Sequence, residues 1–133
     1  MQTPEKLIPA NRLEETLQAC QTNRAHWPTF VSTLLQSQIF VLLDGEVGDD
    51  GVLTNPLTLA MAGGYDAIAL FTAPERGSWL AQKVRQFSYG LLTDARWLLE
   101  RINPNLGVII NPGWDTGLFM APAGLADFKR DFL

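Results

Sequence analysis

Asp66, Glu75 and Asp115 stand at expected strand ends and are the residues whose type and placement could support general acid and base chemistry, with Asn111 as a polar anchor. Such a set makes a small hydrolase or transferase only if the sheet gathers the three into one cleft and raises the pKa of at least one. Other routes to catalysis lack their parts. His26 is the single histidine and Cys20 the single cysteine, so neither a His/Cys zinc cluster nor an internal disulfide can be assembled. Ser32, Ser37, Ser78 and Ser88 all lie outside any Gly-x-Ser-x-Gly elbow, and Cys20 falls on the apolar stripe begun by Leu13, where an inert core thiol is expected. Counted as a calcium loop from Asp44, the acidic segment has Gly48 and Asp49 at its fifth and sixth positions and Asn55 at its twelfth, so the ligand pattern fails and a solvated turn is expected. Gly45, Gly48 and Gly51 fit neither a dinucleotide nor a phosphate loop. No complete catalytic set, metal site or cofactor is expected, and the chain leans away from being an enzyme.

Recognition is the other chemistry on offer. Asn111-Pro112-Gly113 suits a type II turn, with proline at its second position and glycine where a positive φ is needed. Trp114 and Asp115 follow, and an indole at a loop tip must either pack or meet a partner. Arg76, next to the expected strand end at Phe71, could hold a carboxylate or phosphate. The candidate partner or ligand surface is therefore Arg76, Asn111, Gly113, Trp114 and Asp115. Thr72 and Glu75 have the spacing of a capping box and are expected to close the helix N-terminus that follows them.

These groups need a scaffold. Asn11, with Glu14 three residues on, predicts an N-capped helix over about residues 12–23 on which Leu13, Leu17 and Cys20 repeat at helical intervals. Pro28 suits the first turn of a second helix that buries Phe30 and Leu34. Gln38 to Leu43 reads as a buried strand, and Leu57 to Met61 with Ala67 to Phe71 reads as a hairpin turning at Gly63-Gly64. Leu80, Val84 and Phe87 mark a helix from Thr72 to about Arg85, followed by a short strand over 87–91. Thr93 is expected to cap a helix carrying Ala95, Leu98, Leu99 and Ile102 on one stripe. Gly107 to Ile110 is the clearest buried strand, Leu118 to Met120 its returning partner, and Pro122 opens a last helix facing Leu125, Phe128 and Phe132 to the core. The sum is an α/β domain, bordering on α+β, with a mixed, largely antiparallel sheet, two hairpins and helices packed on it.

Composition sets the bounds. A chain of 133 residues with 47% apolar and 18% charged residues is expected to form a single ordered domain over 1–133, burying roughly two-thirds of its unfolded surface. The net charge of -4 is matched by Asp44, Glu46, Asp49 and Asp50 alone, and without a basic stripe nucleic acid is not an expected partner. The longest uncharged stretch, Trp27 to Leu43, is too polar to span a membrane, and the first residues contain no secretory h-region. A lone thiol fits a reducing compartment, so the expected location is the cytoplasm.

The order of a capped helix, a strand, a hairpin ending in Phe71-Thr72-Ala73-Pro74-Glu75, a Leu91-Leu92 segment and Gly107-Val108-Ile109-Ile110-Asn111-Pro112-Gly113 resembles the N-terminal domain of the SseB (enhanced serine sensitivity) family. The likeness spans most of the chain, departing from the family's pattern at Ala73 and Pro74. It implies a stand-alone, bacterial, cytoplasmic domain with no established reaction. The expectation is a non-enzymatic binding or regulatory module, alone or as a homodimer, that recognises a protein partner through its strand-end loops. The carboxylate hydrolase or transferase and a small-ligand sensor linked to amino-acid metabolism, serine included, are the alternatives, the last suggested by the family's name.

Overall fold

The apolar runs of the chain become central strands because both of their faces are covered. In the computed structural model, which describes residues 4–46 and 55–133, the elements run α1 (Arg12–Thr22), a 3-10 turn (Arg24–His26), α2 (Trp27–Leu35), β1 (Gln38–Leu43), β2 (Thr58–Ala60), β3 (Asp66–Phe71), α3 (Pro74–Lys83), β4 (Tyr89–Asp94), α4 (Ala95–Glu100), β5 (Gly107–Ile110), β6 (Leu118–Met120) and α5 (Pro122–Phe132). The sheet has the order β4-β1-β3-β5-β6. β2 lies beside the first half of β3 and β1 beside its second half, and the Leu57 N–H donates to the Leu42 carbonyl where the two meet.

β3 and β5 are parallel, in register from Ala67↔Gly107 to Leu70↔Ile110, and every other pairing is antiparallel. β3, β4 and β5 therefore point the same way, and the crossovers between them are carried by α3 and α4, as parallel strands require. The sheet is mixed and largely antiparallel with helices on both faces: this is an α/β fold.

Side-chain alternation splits the core in two. Ile39, Val41, Ile68, Leu70, Val108 and Ile110 face the larger half, where Leu13 and Leu17 of α1, Phe30 and Leu34 of α2, Leu98 and Leu99 of α4 and Leu125 and Phe128 of α5 pack on them. Leu42, Ala69 and Phe71 face the smaller half under Leu80 of α3. Each fully buried Leu or Phe contributes roughly 1.5–3 kcal/mol, so the larger half dominates stability. A strand covered on both faces reads as an unbroken apolar run, which is why β1 and β5 have the bounds expected from sequence.

Local signals were less faithful where a competing partner exists. The fourth strand lies at 89–94, displaced from the expected 87–91, because it pairs along the full length of β1. Thr93 is thereby a strand residue, and α4 begins after Asp94, whose side chain makes no capping bond. Val84 and Phe87 lie beyond the end of α3 at Lys83 and still pack on the smaller core. Phe132 is 36% exposed, resting against Phe128 instead of entering the core. Of the acidic loop, residues 47–54 lie outside the described residues. Among the described residues no helix is long and apolar enough to cross a membrane.

Candidate functional site

The C-terminal ends of adjacent parallel strands are where open α/β sheets gather ligands, and here β3 and β5 deliver Thr72 and Asn111 side by side. Both are buried, at 4% and 1% exposure. Asn111 sits in the left-handed region at φ 58°, a conformation asparagine tolerates better than other residues with a Cβ. That twist turns its amide across to β3. The carboxamide oxygen accepts from the Thr72 N–H at 3.0 Å, and its NH2 donates to the Thr72 hydroxyl at 2.9 Å and to the Thr116 carbonyl at 3.1 Å.

The Thr72 hydroxyl has one proton and two candidate acceptors, Glu14 Oε2 at 2.7 Å and Asn111 Oδ1 at 3.2 Å. The shorter, charge-assisted contact takes it. Glu14 is 0% exposed and comes from the first turn of α1. Its carboxylate also accepts from the Ala10 N–H at 2.8 Å and from Arg76 Nε and Nη2, each at 2.8 Å. Burial pushes the Glu14 pKa up, but the hydrogen bonds from Arg76, Thr72 and Ala10, with the Arg76 charge, outweigh it and hold the group below its ordinary value. Arg76 is in turn held above its ordinary value by the bonds to Glu14, against the cost of its own burial.

Arg76 is spent three ways. Beyond the paired bonds to Glu14, its Nη2 donates to the Ile8 carbonyl at 2.8 Å and its guanidinium stacks 4.8 Å from the centroid of the Trp114 ring. Trp114 is half-buried, and its indole N–H donates to the Arg76 carbonyl at 2.8 Å. The turn at Asn111-Pro112-Gly113 forms as expected, closed by the Trp114 N–H on the Asn111 carbonyl at 3.1 Å with Gly113 at φ 89°. A Cβ on Gly113 would come 2.5 Å from the Trp79 ring, so this glycine serves both the turn and a close contact. The buried Trp79 indole N–H has no acceptor among the described residues.

The chain's own N-terminal segment lies across this end of the sheet. Glu5 pairs with Trp114 in a parallel bridge, the Glu5 N–H donating to Gly113 at 2.9 Å and the Asp115 N–H to Glu5 at 2.8 Å. Asp115 is exposed as a residue, yet its Oδ1 accepts from the Leu7 N–H at 2.8 Å and from the Thr116 hydroxyl at 3.3 Å. Leu7 itself is 1% exposed.

Several expectations are corrected by this arrangement. Thr72 does not cap α3: the N-cap is Ala73, without a side-chain bond, because the Thr72 hydroxyl is engaged with Glu14 and Asn111. Glu75 is exposed in the first turn of α3 and closes no capping box. The three carboxylates do not converge, since Asp66 begins β3 and is exposed at the end of the sheet opposite Glu75 and Asp115. Arg76 is neither solvated nor free to take an anion, and Asn111 and Trp114 are turned inward on Thr72 and Arg76.

Glu14 is the residue that sequence reasoning missed. Its spacing from Asn11 predicts a capping box, and half of one forms: Asn11 Oδ1 accepts from the Glu14 N–H at 2.8 Å. The carboxylate reaches Ala10 and Arg76 in place of the Asn11 N–H. An acid on the same turn as the buried Leu13 and Leu17 is the sequence signal for a burial partner elsewhere, although nothing local names Arg76.

A second concave surface lies at the sheet's edge. Leu17, Cys20, Gln21 and Arg24, from α1 and the turn after it, together with Trp27, face β6 across a groove of about 610 Å³. Cys20 is half-buried there, its thiol pKa pushed up by burial against the opposing charge of Arg24. Among the described residues no group of three or more His, Cys, Asp or Glu is placed to hold a metal ion.

A mixed sheet with helices on both faces, closed at its strand ends by a buried Glu-Arg-Thr-Asn cluster, defines a small α/β domain built around a structural clasp. The chain belongs to the SseB family: the model of the SseB protein N-terminal domain matches residues 13–127. Neither the curated proteins nor the solved structures contain a match to it.

Proposed function

We propose that this domain is a non-enzymatic protein-binding module. The observation that carries the reading is the disposition of its polar groups. At the strand ends, where an α/β enzyme keeps reactive side chains, Glu14, Arg76, Thr72 and Asn111 are bonded to one another, to Thr116 and to the N-terminal segment. A groove beside β6 stays open, lined by Leu17, Cys20 and Trp27 together with Gln21 and Arg24, and Phe119 on the same edge strand is 64% exposed. Aromatic anchors beside an edge strand suit recognition of another chain.

The reading moves the contact surface from the strand-end loops to the sheet's edge. Cross-linking capture from a cell extract tests it, with wild type compared against Phe119→Asp. A protein retained by the wild type and lost with the variant is the expected result. A thermal shift series across the free amino acids, serine included, separates this from a small-ligand sensor. No rise in Tm is expected, whereas a rise that grows with the concentration of one amino acid would favour the sensor.

A further inference from the structure

Resting on that reading, we infer that the β6 edge takes an extended peptide segment of another protein by strand addition, one whose apolar side chains fill the α1 groove and whose carboxylate meets Arg24. Among the described residues β6 is the terminal strand of the sheet and pairs with β5 alone. Of the devices that normally blunt an edge, Leu118–Met120 has shortness alone, three residues, and contains neither a charge nor a proline. Its outward N–H and C=O groups are a template for a further strand.

Side-chain alternation specifies what that strand carries. Leu118 and Met120 pack with the larger core, and Phe119, opposite Ile109, points to the other face. A peptide laid along the edge directs alternate residues into the groove over Leu17, Cys20 and Trp27, and the intervening ones beside Phe119. The first row meets Leu17, Cys20 and Trp27 and the second meets Phe119. Arg24 lines the same groove, is exposed, and makes no ion pair among the described residues, whereas Arg12, Arg76, Arg96 and Arg130 are all paired. It is the one charge the groove offers, and it calls for an acid.

A second copy of this chain is a poorer match. Its own edge, Gly117 to Ala121, contains no carboxylate, and nearby Asp115 is engaged by Leu7 and Thr116. The opposite edge of the sheet is less suited as well, because the depression beside β4 is lined by Asp94, Arg96, Glu100 and Arg101, with Arg96 already paired to Glu100.

Selection from a random-peptide display library tests the inference, followed by affinity measurement and amide NMR mapping with the enriched peptides. The expected binders alternate apolar residues and carry Asp or Glu at one end, and they shift the amides of Gly117–Ala121 and Gln21–Arg24. Arg24→Glu should weaken them about tenfold or more and select basic peptides in turn. Phe119→Asp should weaken them similarly. Both positions are exposed, so an unchanged Tm confirms that the variants fold. Binders that map to the strand-end cluster or to β4 overturn strand addition at β6 while leaving a binding module standing, and a selection that enriches nothing overturns both. A dimer in light scattering, abolished by Phe119→Asp, would assign the edge to a second copy and overturn the proposed partner.

Discussion

Glu14 and Arg76 form the pair on which the strand ends depend, and their burial decides how the two behave when one is removed. A buried ion pair costs so much to desolvate that it adds little over an apolar pair, yet breaking it leaves one charge stranded, at about 3–5 kcal/mol. Arg76→Met should therefore lower the unfolding free energy by about 3 kcal/mol, and Glu14→Met should cost less, because Arg76 keeps the Ile8 carbonyl and the Trp114 ring. The double variant should recover part of the Arg76→Met loss, giving a favourable coupling in a denaturant double-mutant cycle; strict additivity would contradict the clasp. The acid limb carries the same signature. With the folded pKa of Glu14 below its ordinary 4.5, the unfolded chain binds more protons between the two values. The contribution is fully present above about pH 4.5 and is lost as the pH falls through the folded pKa, so Glu14→Gln should flatten that part of the stability profile. Gly113→Ala is a separate test: positive φ and the Trp79 ring together should cost at least about 2 kcal/mol, read as a lowered Tm.

At the scale of elements, α3 is one of four helices, with α2, α4 and α5, whose N-cap makes no side-chain bond. Its N-cap, Ala73, has extended φ and ψ of −160° and 155° and makes no side-chain bond, so Ala73→Ser should supply the missing acceptor and stabilise the protein by about 1 kcal/mol in a denaturant titration. No change would mean that the first-turn N–H groups need no further acceptor, as that of Arg76 already donates to the Ala73 carbonyl at 3.0 Å. The contrast with α1 explains what could be read in advance. Asn11 caps α1 as expected because a cap is a local contract between residues three apart. Thr72 had equally good local credentials and was taken by Asn111 and Glu14, 39 and 58 residues away along the chain. β1 and β5 were legible to the residue because two-sided burial writes itself into composition, whereas β4, exposed at the edge, took its bounds from its pairing with β1.

For the whole molecule, the fold class and the family were legible in the order of the elements, but the clasp joins α1, β3, α3 and the loop after β5, and no local pattern reports such a meeting. It also recruits residues outside the family match, which begins at residue 13. Leu7 fills a buried site, the Ile8 carbonyl holds Arg76, the Ala10 N–H holds Glu14, and Glu5 continues the sheet end onto Gly113 and Asp115. A chain lacking residues 1–10 should therefore remain folded on its two core halves but lose the cover of its strand ends. Unburying Leu7 alone costs roughly 1.5–3 kcal/mol, and three charge-assisted bonds, to Asp115, Glu14 and Arg76, go with the segment. The expected result is a clear fall in Tm, with amide exchange quickened at Thr72, Arg76 and Trp114 and unchanged in β1. Because the groove beside β6 is built from residues 17–27 and 118–120, the truncated chain should keep full affinity for peptides bound there. Loss of that affinity with β1 still protected would mean that the N-terminal segment and the edge act as one surface, and the separation of clasp from recognition site would be wrong.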